Sequence, residues 1–135
     1  MKVFIDTGAF VALTDADDEH HQPAAAFYRN AKEKGVRFVT TNFVVCETMN
    51  YLRARVSHRV AVLFREKLKK SGLTEIITVS PSIEEGAFAV FKQYTDKDFS
   101  FTDCTSFSVM KALRLKRALA FDKHFEQIEG ISRVP

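Results

Sequence analysis

Residues 2–8, Lys2-Val3-Phe4-Ile5-Asp6-Thr7-Gly8, read as a short strand that ends on an acid and then turns. Three further strand-like runs follow, Arg37–Thr41, Ile76–Ser80 and Ala118–Phe121, with a terminal candidate at Ile131–Val134. Helical patterns lie between them, over Pro23–Lys34, Phe43–Arg55, His58–Lys70, Ser82–Tyr94 and Phe101–Leu113. Parallel strands need long crossovers and helices supply them. The alternation therefore predicts an α/β fold, a three-layer α/β/α sandwich with a central parallel sheet. Gly35 and Gly72 just after basic helix ends, and Pro81 after a strand, fit these boundaries. The successive helices Phe43–Arg55 and His58–Lys70 predict a helical hairpin standing off the sheet, its basic face exposed.

A chain of 135 residues buries about two thirds of its unfolded surface around one core. No Gly/Ser/Pro-rich linker or repeat divides it, so residues 1–135 are expected to form a single domain. A content of 46% hydrophobic and 27% charged residues belongs to globular chains, not disordered ones. Cys46 and Cys104 lack paired spacing and no apolar leader opens the chain, which makes the cytoplasm the expected compartment. No apolar stretch approaches the ~20 residues needed to cross a bilayer. The net charge of +3 decides little, but the bases gather unevenly. Arg53, Arg55, Arg59, Arg65, Lys67, Lys69 and Lys70 form one group, and Lys111, Arg114, Lys116 and Arg117 another. Such surfaces suit a polyanion, and suit equally well solvated helix faces that only keep a protein soluble.

In open α/β sheets, ligands bind beyond the carboxyl ends of the strands. Asp6 and Asp122 are both expected there, each directly after a strand, so adjacency of those strands would bring their carboxylates together. Glu47 falls in the apolar segment FVVCETMNYL, residues 43–52, about a turn from Phe43 and Tyr51, where an acid is costly without a counter-charge. Asp103 sits near a helix start, whose free N–H groups favour negative charge. Each acid also has a plainer reading. Asp6 could be a turn residue, Asp103 could complete a Ser100-x-x-Asp103 capping box, and Asp122 could cap a helix over Lys123–Gln127. Glu47 could pair with Arg37 or Arg53. Converging carboxylates repel, which raises their pKa values and weakens the fold unless a cation lies between them. Oxygen donors select hard cations such as Mg²⁺, whose retained waters supply a nucleophile, so no nucleophilic side chain is needed.

The set FIDTGAF (4–10), Cys46-Glu47, DFSFTDC (98–104) and FDKHF (121–125) resembles the PIN domain family of metal-dependent ribonucleases across nearly the whole chain. At this length the match most resembles the VapC-type toxins of bacterial toxin/antitoxin pairs. The resemblance implies that Asp6, Glu47, Asp103 and Asp122 hold Mg²⁺ or Mn²⁺ for hydrolysis of RNA phosphodiesters. It adds Asp98 as an accessory acid and Thr7 and Ser106 as helpers. It also implies a small antitoxin that inserts a helix beside the acids, and a homodimer. Arg53, Arg55, Lys111 and Arg114, placed near site elements, are the expected RNA contacts. A housekeeping PIN nuclease in RNA processing is a second reading, and a catalytically silent binding module a third, which the intact acid set argues against. A dehalogenase-like phosphotransfer domain requires a second aspartate two residues after the first, and Gly8 stands there. His20, His21, His58 and His124 show no metal-ligand spacing, and His124 is expected at the surface. Cys46 and Cys104 are expected to fill small spaces beside the site. Most of the thirteen phenylalanines should be core, among them Phe43, Phe88, Phe91 and Phe107.

Overall fold

The computed structural model describes residues 1–135. Strands β1 (Lys2–Ile5), β2 (Arg37–Thr41), β3 (Thr74–Ile77), β4 (Arg117–Leu119) and β5 (Ser132–Val134) form one five-stranded, all-parallel sheet in the order β3-β2-β1-β4-β5. Val3, Phe4 and Ile5 of the central strand are wholly buried, the condition of a strand covered on both faces. Six helices flank the sheet: α1 (Thr7–Thr14), α2 (His21–Glu33), α3 (Asn42–Arg55), α4 (His58–Ser71), α5 (Pro81–Gln93) and α6 (Phe101–Ala112). The chain steps outward from β1 to β2 to β3, and α5 and α6 then carry it back to the other side of β1. Parallel crossovers are right-handed, so the outward and return connections cover opposite faces and the sandwich has three layers. No helix is long and apolar enough to cross a membrane.

Local chemistry fixes the element ends. The side chains of Thr41, Ser57, Ser80 and Ser100 accept hydrogen bonds from Val44, Val60, Ile83 and Asp103 N–H at the starts of α3, α4, α5 and α6. Gly72, at φ +66, closes α4 in the left-handed region that glycine adopts freely. Strand β3 starts two residues earlier than its sequence suggests and stops at Ile77, because its partner strand β2 ends at Thr41, opposite Ile77. Val79 N–H donates instead to Asn42 Oδ1 at 2.9 Å. Strand β4 likewise ends at Leu119, short of the expected Phe121.

Helix α1 replaces the turn expected at Thr7-Gly8. Ala9, Phe10, Val11 and Ala12 are all buried, and a helix that is apolar all round shows no amphipathic period to read. Of the four phenylalanines expected in the core, Phe107 is buried and Phe43 is half-buried, while Phe88 and Phe91 are 47% and 45% exposed. Helix α5 turns Ile83, Ala87 and Val90 inward, an i, i+4, i+7 face that excludes Phe88 and Phe91. Phe99, Phe107 and Phe125 pack edge to face at centroid distances of 5.0 and 5.2 Å, forming an aromatic wall behind the carboxyl ends of β1 and β4.

Candidate metal centre

The strand order reverses between β1 and β4, and ligands bind at such switch points. Ile5 pairs with Leu119 and Asp6 N–H donates to Leu119 O at 3.2 Å, so the segment after β1 lies beside the segment after β4. Asp6 occupies the N-cap position of α1, yet its side chain makes no capping bond. It is buried, and its Oδ1 has no hydrogen-bond partner. Burial is the main force pushing its carboxyl up from 3.8 to about 8. The Thr7 backbone N–H works in the other direction, and Asp103, Glu47 and Asp122 each push it further up. The four acids singled out in the sequence thus bear on one point.

Asp103 is the cap its spacing suggested, and it is also buried beside Asp6. Ser100 Oγ accepts from Asp103 N–H and Asp103 Oδ2 accepts from Ser100 N–H, each at 3.0 Å, a complete capping box. The same carboxyl is buried, and burial raises its pKa against the opposing Ser100 N–H and His124. Asp122 is a cap as well. Its Oδ1 accepts His124 N–H at 2.9 Å, capping a single 3₁₀ turn, Lys123–Glu126, in place of the expected longer helix. Glu47 is half-buried on α3 and pairs with neither arginine. Arg37 donates to Gly72 O at 3.4 Å and Arg53 is exposed. With Asn42, Phe43, Cys46, Asn50 and Thr102, Glu47 lines an open cleft of about 460 Å³.

His124 is the residue the sequence reading missed. Its side chain is only 15% exposed, with Nδ1 2.9 Å from Asp103 Oδ2 and 3.1 Å from Asp122 Oδ2. The ring packs edge-on to Phe99 at 5.4 Å. The one local signal was the Asp122-x-His124 spacing ahead of Phe125, since the Asp122 carboxylate accepts the His124 backbone N–H two residues on and keeps that residue close.

Thr7 Oγ and Ser106 Oγ are buried without partners, like Asp6 Oδ1, and Ser106 lies one turn after Asp103 on the same face of α6. Asp98 is exposed, makes no hydrogen bond or ion pair, and is not among the groups acting on Asp6 or Asp103. Arg53 and Arg55 are exposed in the last turn of α3, with Arg55 over the Tyr51 ring at 6.0 Å. Lys111 lies about 12 Å along α6 from Asp103, by the rise of a helix, and Arg114 lies beyond it. These two line a cleft of about 420 Å³ with Tyr94, Phe107 and Ile131, away from the acids. Of the cysteines, Cys104 is buried and its thiol is pushed up to about 11 by that burial, whereas Cys46 is exposed and fills no space.

The donors fit a divalent cation. Asp6 Oδ1 is a buried acceptor with no donor, in the field of three more carboxylates, and hard oxygen ligands of this kind suit Mg²⁺ or Mn²⁺. Buried acceptors are rarely left bare, because each costs about 1–3 kcal/mol of desolvation. Asp103 and Asp122 also bring carboxylate oxygens within 4.8 Å of each other, with His124 between them.

Fold and site together define a parallel α/β protein with a cluster of carboxylates at its switch point. The PIN domain family matches residues 3–131. The chain is 32% identical over 123 residues to the 23S rRNA-specific endonuclease VapC20 of Mycobacterium tuberculosis, covering 91% of each chain. It is 34% identical over 127 residues to a VapC ribonuclease of Archaeoglobus fulgidus, covering 93% of this chain and 80% of that one. Its structure superposes on the crystal structure of M. tuberculosis VapC20, described as a sarcin-ricin loop cleaving toxin, with a TM-score of 0.88, 29% identity and 96% coverage of both chains. The chain belongs to the PIN domain family and is a nuclease of the VapC kind.

Proposed function

We propose that this chain is the ribonuclease toxin of a toxin/antitoxin pair and hydrolyses RNA phosphodiester bonds at a cation centre held by Asp6, Asp103, Asp122 and Glu47. The observation that carries the reading is Asp6 itself, a buried, unpartnered carboxylate raised to about 8 and surrounded by three further acids. Asp6 and Asp103, buried and fixed by the chain around them, are the anchoring ligands. Glu47 and Asp122 are more open to solvent, and would hold the cation from the side that water and substrate can reach. Held by these residues, Mg²⁺ or Mn²⁺ would supply Lewis acidity that makes water a better nucleophile and offsets negative charge on the phosphate. Thr7 and Ser106 supply hydroxyl donors beside the carboxylates, and Asp98 keeps at most an accessory role from outside the cluster. Arg53, Arg55, Lys111 and Arg114 act as distant electrostatic contacts with a substrate longer than the site.

Two surfaces suit protein partners. An apolar cleft of about 440 Å³ between α1, α2 and α4, lined by Phe10, Leu13, Val60, Leu63 and Phe64 among others, matches the apolar face of an antitoxin helix. Phe88 and Phe91 on α5 supply an exposed apolar strip for a second copy of the chain.

The test is RNA cleavage by purified protein with Mg²⁺ or Mn²⁺, with EDTA, and with Asp6→Asn and Asp103→Asn, alongside growth on induction with and without the upstream neighbouring gene. Cation-dependent cleavage lost in both variants, with growth arrest relieved by the neighbour, is expected. Harmless induction with cleavage intact assigns the housekeeping role, and full activity in EDTA refutes the cation centre.

A further inference from the structure

Within the acid cluster one side chain is not an acid, and two of the acids converge on it. His124 Nδ1 lies 2.9 Å from Asp103 Oδ2 and 3.1 Å from Asp122 Oδ2. Asp103 Oδ2 already accepts Ser100 N–H, and Asp122 Oδ1 accepts the His124 backbone N–H. The imidazole therefore joins two carboxylates that come from elements far apart in sequence, α6 and the turn after β4. Phe99 fixes the plane of the ring, and Phe125, fully buried beside it, anchors the turn. With Oδ2 of Asp103 held by two donors, its Oδ1 is the oxygen left without a donor.

We propose that His124 is a positioning residue of the cation centre: its Nδ1–H clamps Asp103 and Asp122 to each other and so sets which of their oxygens are presented to the cation. The inference rests on the reading that these acids bind a divalent cation. Groups that orient metal ligands by such hydrogen bonds typically contribute 10–100-fold to metal affinity. A clamp acts through a proton on Nδ1, and the imidazole is not itself a ligand.

The test is Mn²⁺ affinity, read from free Mn²⁺ by electron paramagnetic resonance, in wild type, His124→Ala, His124→Asn and His124→Gln, with folding checked by circular dichroism. His124→Ala is expected to weaken Mn²⁺ binding about 10–100-fold. His124→Asn places an amide N–H near the position of Nδ1 and is expected to recover most of the loss, whereas His124→Gln, whose amide reaches the position of Nε2, is not. The second readout needs no variant: the wild-type, metal-free protein should show a slowly exchanging imidazole Nδ1–H resonance coupled by NOE to Ser100 N–H. Equal affinity in wild type and His124→Ala overturns the clamp and leaves the cation centre standing. Directly coupled imidazole nitrogen in pulsed spectra of the Mn²⁺-loaded protein also overturns it, by making His124 a ligand. Wild type that binds no Mn²⁺ defeats both the clamp and the cation centre.

Discussion

Asp6→Asn should change how the stability of the metal-free protein depends on pH, and the sign follows from where the proton sits. The folded-state pKa of Asp6 is about 8 against 3.8 for the ordinary carboxyl, so between these values the fold keeps a proton that the unfolded chain has released. Its stability contribution is complete below about pH 3.8 and is lost as pH rises toward 8. Each pH unit within that window costs about 1.4 kcal/mol. From pH 5 to pH 7 this one group removes about 3 kcal/mol from wild type and nothing from the Asn variant. In a domain of this size 1 kcal/mol moves Tm by about 3 °C, so the variant should gain about 8 °C on wild type across that interval. Asp103 is displaced in the same direction and leaves a shared slope in both proteins, so the difference between the two curves is the quantity to read. The assay is thermal denaturation in EDTA at pH 5, 6 and 7. Parallel curves for the two proteins would refute the argument. At pH 7 a bound cation must also displace that proton, so calorimetric titration in buffers of different ionisation heat should show about one proton released per Mn²⁺ in wild type and fewer in Asp6→Asn.

Three further outcomes are expected. Glu47→Gln should abolish cation-dependent cleavage and leave the metal-free Tm within about 1 °C, since Glu47 makes no ion pair; a structural acid would show the opposite pattern in the same two assays. If the proposed dimer forms through α5, Phe88→Glu with Phe91→Glu should leave only monomer in sedimentation while Tm falls by no more than about 3 °C, because both rings are nearly half exposed. Neutralising Arg53, Arg55 and Arg65 together should weaken RNA binding and flatten its dependence on log[salt], by a slope of about 0.7 for each phosphate of single-stranded RNA that the protein no longer neutralises. An unchanged slope would leave those charges a solubilising role only.

The strands and the later helices were legible because apolar runs and cap residues mark them: Thr41, Ser57, Ser80 and Ser100 each stand where a helix begins. Helix α1 was not, because burial on every side erases the contrast on which periodicity depends. Of the four acids only Glu47 was awkward in its own surroundings, and it was the resemblance of the surrounding motifs that joined them as a set. Asp122 and Asp103 looked like caps and are caps, and the same backbone bonds that satisfy the helix ends hold the carboxylates at the site. His124 was hidden for a different reason: it has no ligand spacing, and its partner Asp103 is a neighbour across the fold that no local pattern encodes. Phe88 and Phe91 misled because helical spacing shows which residues share a face and not which face turns inward.

The pairing of β1 with β4 sets a schedule for the site during synthesis. Asp6 is made well before Asp122 and His124, which lie in the turn after the strand that has to slide in beside β1. Until that strand leaves the ribosome, the sheet has β1 as an open edge and the centre lacks one carboxylate and its imidazole. A chain that has not yet seated β4 and the turn after it therefore holds Asp6 with neither Asp122 nor His124 opposite, and on the reading proposed above it cleaves no RNA until that strand is in place.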